Sequence, residues 1–173
     1  FIATGLSANV TYNLVCMIDN ASLKFNVFVN GVKYTTDIPV GIPTTITNPD
    51  SRTNIGFLDQ GLVGETSLLD GKIDDLAIFT KILLDEDIAA LHSATLALVQ
   101  LPDPIAYYEF EDTLGTDEIG NYPATMNGTW ITEPGVNAGN AQRASNTSAY
   151  MSIPTLGTWF EGRATFSISG WFK

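Results

Sequence analysis

The most constraining feature of the 173-residue chain is the run "SLKFNVFVNGVKY", residues 22–34. Leu23, Phe25, Val27 and Val29 alternate with Lys24, Asn26, Phe28 and Asn30. Period 2 is the mark of a strand with one face in a core. Asn30-Gly31 then supplies the residue pair that a type I′ turn requires, because both turn positions need positive φ. The residues after it, "VKYTTDI", read as the returning strand. An antiparallel hairpin cannot bury its apolar face alone, so the rest of the chain must supply strands to pack on it.

The flanking sequence does so. "TYNLVCMID", residues 11–19, is apolar and β-prone, with a turn expected at Asp19-Asn20. Residues 53–59, with Gly56 inside, and residues 71–83 read as further strands. One helix is expected, about Asp85 to Leu96. Asp85 is its candidate N-cap, Glu86 and Asp87 suit its N-terminus, and Ile88, Leu91 and Ala94 or Thr95 share a face. "LPDP" at residues 101–104 reads as a linker, because two prolines disfavour helix and central strand. Beyond it, "IAYYEFED" is an alternating strand with Ala106, Tyr108 and Phe110 in phase. Residues 113–148 are polar and rich in Gly and Asn. Residues 150–154 and 164–173 read again as strands, with Phe166, Ile168 and Gly170 alternating against Thr165, Ser167 and Ser169.

Charge excludes some partners. Nineteen Asp and Glu stand against eight Lys and Arg, a net charge of −11. Such a surface repels phosphate backbones and anionic membranes, so neither nucleic acid nor membrane insertion is expected. No apolar run is long enough to span a bilayer. The single cysteine, Cys16, sits in the run "YNLVCMI" and reads as a small buried hydrophobe. The single histidine, His92, reads as a surface or rim residue beside the apolar face of the helix.

Catalytic constellations are thin. Glu109 and Glu111 have the alternate spacing of paired glycosidase carboxylates, but the sequence lacks the fuller acid pattern and they read as a solvent-facing pair. There is no Ser/His/Asp set, no Gly-rich phosphate loop and no Cys/His zinc pattern. The expectation is a chain that is not an enzyme. Calcium has better chemistry: "TDEIGN" can present oxygens from Asp117, Gly120 and Asn121. The alternative for that loop is an Asx turn. Tyr122, Trp130, Tyr150 and Trp159 are the aromatics that would stack on sugar rings if exposed. N-x-S/T sequons occur at Asn9, Asn20, Asn127 and Asn146.

Taken together, the phrases "IAYYEFED", "DEIGN", "YMSIP", "FSISGWFK", "TYNLVCMID", "LKFNVFVNGVKY", "GKIDDLAIF" and "LDEDIAAL" resemble the laminin-G-like, concanavalin-A-like jelly-roll family. Their order is permuted: the phrases that close such a domain come first. The resemblance implies an all-β jelly-roll sandwich with one short helix. Residues 1–98 would be the closing half of one domain, residues 99–104 a linker, and residues 105–173 the opening half of another. The halves would be complementary parts of one sandwich, closing within the chain or pairing head to tail between chains. The chain would be a piece of a longer tandem-repeat protein. The resemblance also implies a calcium ion held by Asp117 with Asp74 and Asp75, with backbone carbonyls near Gly120 and Asn121 completing the shell. Ala149 departs from the pattern, since many members carry an acid there. The implied role is a carbohydrate- or protein-binding adhesion module of a secreted or cell-surface protein, its partner a glycan or an extracellular protein. The alternatives are a structural spacer repeat, or an accessory domain of a glycoside hydrolase.

Overall fold

A computed structural model describes residues 6–19, 22–37, 53–55, 57–59, 66–68, 71–93, 103–136, 139–145, 149–161, 163 and 165–173. The chain is mostly antiparallel β, in a sandwich-like arrangement. The strands are β1 (Tyr12–Asp19), β2 (Lys24–Val29), β3 (Val32–Asp37), β4 (Thr53–Ile55), β5 (Phe57–Asp59), β6 (Thr66–Leu68) and β7 (Lys72–Phe79). After helix α1 (Asp85–Ser93) come β8 (Ala106–Tyr108), β9 (Thr125–Asn127), β10 (Trp130–Pro134), β11 (Asn140–Ala144) and β12 (Tyr150–Ile153). Helix α2 (Leu156–Phe160) and β13 (Thr165–Phe172) complete the order.

The large sheet runs β10-β11-β7-β13-β1-β2-β3, with β8 also on β7. A smaller sheet runs β4-β12-β9, and β5 pairs with β6. The hairpin is as expected: Val29 faces Val32, and Asn30 and Gly31 have φ of 49° and 75°. Strand β13 lies between β7 and β1, pairing Tyr12 with Phe172 at one end and Asp19 with Thr165 at the other. Strands from early and late in the chain therefore alternate in one sheet.

Two cores flank this sheet. The first holds Ile73, Leu76, Ile78, Tyr108, Met151, Ile153, Leu156 and Phe166. The second holds Val15, Met17, Phe28, Phe79, Leu83, Ile88 and Leu91, and is closed by α1. The second core corrects the expectation of one buried face per strand. Phe28, on the polar phase of β2, is buried, whereas Leu23 is exposed. Ser167 and Ser169 of β13 are also buried. The Ser167 hydroxyl donates to the Lys81 carbonyl at 2.6 Å and accepts from the Leu83 N–H at 3.3 Å. It thereby ties the segment leading into α1 to the sheet.

Other expectations shift in detail. The described residues hold two helices, where one was expected; α2 is five residues long, too short to show a helical period. The N-cap of α1 is Leu84 rather than Asp85: the Leu84 carbonyl accepts from Ile88, and the Asp87 carboxylate reaches back to the Leu84 N–H at 3.1 Å. Asp85 instead pairs with Lys33 at 3.3 Å. Cys16 is half-buried, because it shares its face of β1 with Leu14 and Ile18, which are also only partly covered. The single strand expected over residues 53–59 is instead two, Thr53–Ile55 and Phe57–Asp59, in different sheets, with Gly56 outside the described residues. The "IAYYEFED" strand ends at Tyr108, and Phe110 turns with φ of 59° while still entering the core. The polar stretch after it forms β9, β10 and β11. Residues 99–102, most of the expected linker, and Ala94 and Thr95 lie outside the described residues.

Candidate functional site

The site begins with an irregularity in β7. Ser169 pairs with Ala77 and Trp171 with Asp74, so β7 carries one more residue than β13 over this step. Asp75 takes φ of 50° at this bulge. Opposite it, Gly170 sits tightly packed: a Cβ there would lie 3.3 Å from Leu76 and 3.1 Å from Phe172, so those side chains would have to give by a few tenths of an ångström. As a result Ile73 and Leu76, three residues apart, both enter the first core. The two carboxylates between them are turned to the other face of the sheet, where alternation would have separated them.

Their surroundings differ. Asp75 accepts the phenol O–H of Tyr107 at 2.8 Å. Asp74 is 5% exposed and accepts the backbone N–H of Val136 at 2.7 Å. Burial, then the charges of Asp75 and Glu111, push its carboxyl up to about 6, against the lowering effect of its backbone hydrogen bonds. Glu109 is also raised, first by burial and then by neighbouring acids. Tyr107 is raised by burial and by the charge of Asp75.

Asp117 is built differently. Its Oδ1 accepts from the backbone N–H of Tyr107 at 2.9 Å and of Ile119 at 3.1 Å. Its Oδ2 accepts from Asn121 at 2.9 Å and Tyr122 at 2.8 Å. Gly120, with φ of 85°, lets the loop close on this carboxylate, and its N–H bonds the Asp117 carbonyl at 2.9 Å. A carboxylate has about four lone-pair sites, and all four are used by the main chain. Tyr107 links the two regions, its N–H on Asp117 and its phenol on Asp75.

The structure thus brings Asp74 and Asp75 together, and Asp117, Gly120 and Asn121 together, as two separate settings. Among the described residues no group of three or more His, Cys, Asp or Glu is arranged to hold a metal ion. With the Asp117 oxygens already filled by N–H donors, this arrangement does not fit a calcium site.

The four aromatics expected to meet sugars have different surroundings. Trp130 is 8% exposed and gives its indole N–H to the Asn127 carbonyl at 2.8 Å. Trp159 packs on Phe160 edge to face, with the Arg163 guanidinium over its ring at 4.4 Å. Tyr122 packs against the first core, and its carbonyl accepts the Tyr108 phenol at 2.5 Å. Tyr150 is half-buried at the start of β12, opposite Asn127. Of the sequon asparagines, Asn9 is exposed, Asn127 half-buried, and Asn20 and Asn146 lie outside the described residues.

A different tryptophan occupies a groove. Trp171 is half-buried and pairs in register with Asp74 on one side and Asn13 on the other. His92, from the last turn of α1, packs against its indole at a centroid distance of 5.9 Å. The His92 ring is seated on Gly31, where a Cβ would stand 3.5 Å from it. In front of Trp171 lies a groove of about 310 Å³, lined by Thr11, Lys72, Asp74, Val136 and Ala141 among others. That volume lies at the lower end of small-ligand sites, about 300–1,000 Å³. The signal that could have found it was the Trp-Phe pair that interrupts the alternation of the last strand.

The chain matches no protein-family model, no curated protein and no solved structure. Among the described residues no helix is long and apolar enough to cross a membrane.

Proposed function

We propose that this chain is a non-catalytic binding module of a secreted or cell-surface protein, taking a glycan or an extracellular protein as partner. The observation that carries the proposal is the groove before Trp171, which Trp171, Asp74, Lys72 and Thr11 line on the sheet face beside α1. Such a mixture orients a ligand without offering a nucleophile and a base in contact. Glu109 and Glu111 have the spacing of glycosidase carboxylates and are non-catalytic on this reading. Glu111 instead accepts the Asn140 N–H at 3.1 Å and braces the β10–β11 hairpin.

The jelly-roll reading belongs to the same proposal. The interleaving of β13 between β7 and β1 supports two halves that complement each other within one chain. The test is a screen of the intact chain against arrayed glycans and extracellular-matrix proteins, with Val136→Arg as the blocked control. Val136 is exposed on the groove wall, so the substitution fills the groove without touching a core. Specific binding lost in Val136→Arg is the expected result. Binding that survives it, or no binding at all, counts against the proposal.

A further inference from the structure

We propose that the groove takes a neutral pyranose of a glycan, with the Trp171 indole as its stacking platform. This deepens the binding-module reading and rests on it.

Three features point to a sugar. First, Trp171 is held in place before any ligand arrives. His92 packs on it and is itself seated on Gly31, so little freedom remains to be lost on binding. The other two tryptophans have other roles: Trp130 is in the core and Trp159 lies under Arg163. Second, the polar groups around the indole suit hydroxyls, which both donate and accept. Asp74 accepts backbone N–H groups from Val136 and Asp75, which leaves part of its roughly four-site acceptor capacity. Thr11 and Lys72, residues of donor chemistry, also line the groove, with the Lys72 ammonium paired to Glu133. Third, the surroundings disfavour an anion. Lys72 and Lys173 line the groove with Asp74, and Glu133 is paired with Lys72. Within a chain of net charge −11, and with the charges of Asp75 and Glu111 acting on Asp74, an anionic sugar meets opposing charge there.

A peptide is the weaker fit. Peptides draw much of their affinity from open strand edges. This groove lies on a sheet face, over β7 and β13, whose backbones pair with each other.

The experiment is an NMR titration of the intact chain with cellotriose, maltotriose and mannotriose, and with trigalacturonic acid as the anionic probe. The expected result is a saturable shift of the Trp171 indole N–H and the Val136 amide with at least one neutral trisaccharide at millimolar concentration. Trp171→Ala should weaken that binding at least tenfold and Asp74→Asn severalfold. If Trp171→Ala does not fold, Val136→Arg serves as the blocked form and should abolish the shifts. Tighter binding of trigalacturonic acid, neutral sugars that move only distant signals, or no saturable shift of the Trp171 indole would each overturn the inference. A protein partner captured by the wild type and lost in Val136→Arg, with no sugar bound, would overturn it while leaving the module reading standing.

Discussion

Asp74 and Asp117 are equally buried, each 5% exposed, yet they are opposite kinds of site. Asp117 has four backbone N–H donors around one carboxylate and organises a loop. Asp74 is buried beside Asp75 and Glu111, with its charge opposed by its surroundings. The difference teaches that burial alone does not identify a functional acid. What matters is whether the buried charge is answered. A fully answered carboxylate is architecture; one that burial and like charges leave only partly answered costs stability and needs another reason to be kept. A groove ligand supplying O–H donors would be such a reason.

The largest expected effect is at Asp117. Asp117→Ala would strip acceptors from four loop N–H groups, each worth about 1–3 kcal/mol if left buried and unpaired. Loop relaxation and water recover part of this, so we expect a loss of about 4 kcal/mol, read by urea denaturation. A loss below about 1 kcal/mol would mean that the loop does not depend on its hub.

Asp74→Asn should act in the other direction. It removes the partly answered charge and keeps an oxygen for Val136, and should raise stability at pH 7 by about 1–3 kcal/mol. The pH profile sharpens this. The Asp74 carboxyl is about 6 in the folded state against 3.8 when free, so the folded state holds its proton more tightly. Its stabilising contribution is complete below about 4 and fades as pH rises through 6. Glu109, also raised, adds in the same sense. Glu133 opposes it: lowered by hydrogen bonds from Lys72 and Arg143, it loses its contribution as pH falls. The wild type should therefore lose stability between pH 4 and 6, and Asp74→Asn should flatten that slope. Parallel profiles for the two proteins would break the contrast between the two acids.

The smallest expected effect is that of calcium. Because the main chain already fills the Asp117 oxygens, excess calcium followed by chelator should leave the melting midpoint unchanged. An ion bound to the folded state at a hundredfold excess over Kd would instead add about 2.7 kcal/mol. A calcium-dependent rise abolished by Asp117→Ala would show that the loop exchanges N–H donors for a metal, and would remove the distinction between the two acids.

Much of the fold was legible because local chemistry dictated it. The Asn30-Gly31 turn sets the register of β2 and β3, since a side chain other than Asn or Gly strains both positive-φ positions. The phase of Ala106, Tyr108 and Phe110 named three residues of the first core correctly. The three strands in the polar stretch were not legible. Met126, Trp130 and Ala141 are too few to make an alternating pattern, and those strands persist because neighbouring strands take up their backbone groups.

The site divides in the same way. The sequence by itself determined the residue types: a Gly-containing Asp117 loop that must close on something, and an acid pair inside a strand. Only the tertiary structure decided their roles. One extra residue in β7, opposite Gly170, turned Asp74 and Asp75 to the same face. Helix α1 covered the face that carries Ser167 and Ser169 and set His92 against Trp171. Both outcomes depend on contacts between residues far apart in the chain, such as Asp74 and His92 with Trp171. Local periodicity carries no information about partners at that distance, because side-chain alternation fixes which residues share a face and leaves open what comes to cover it.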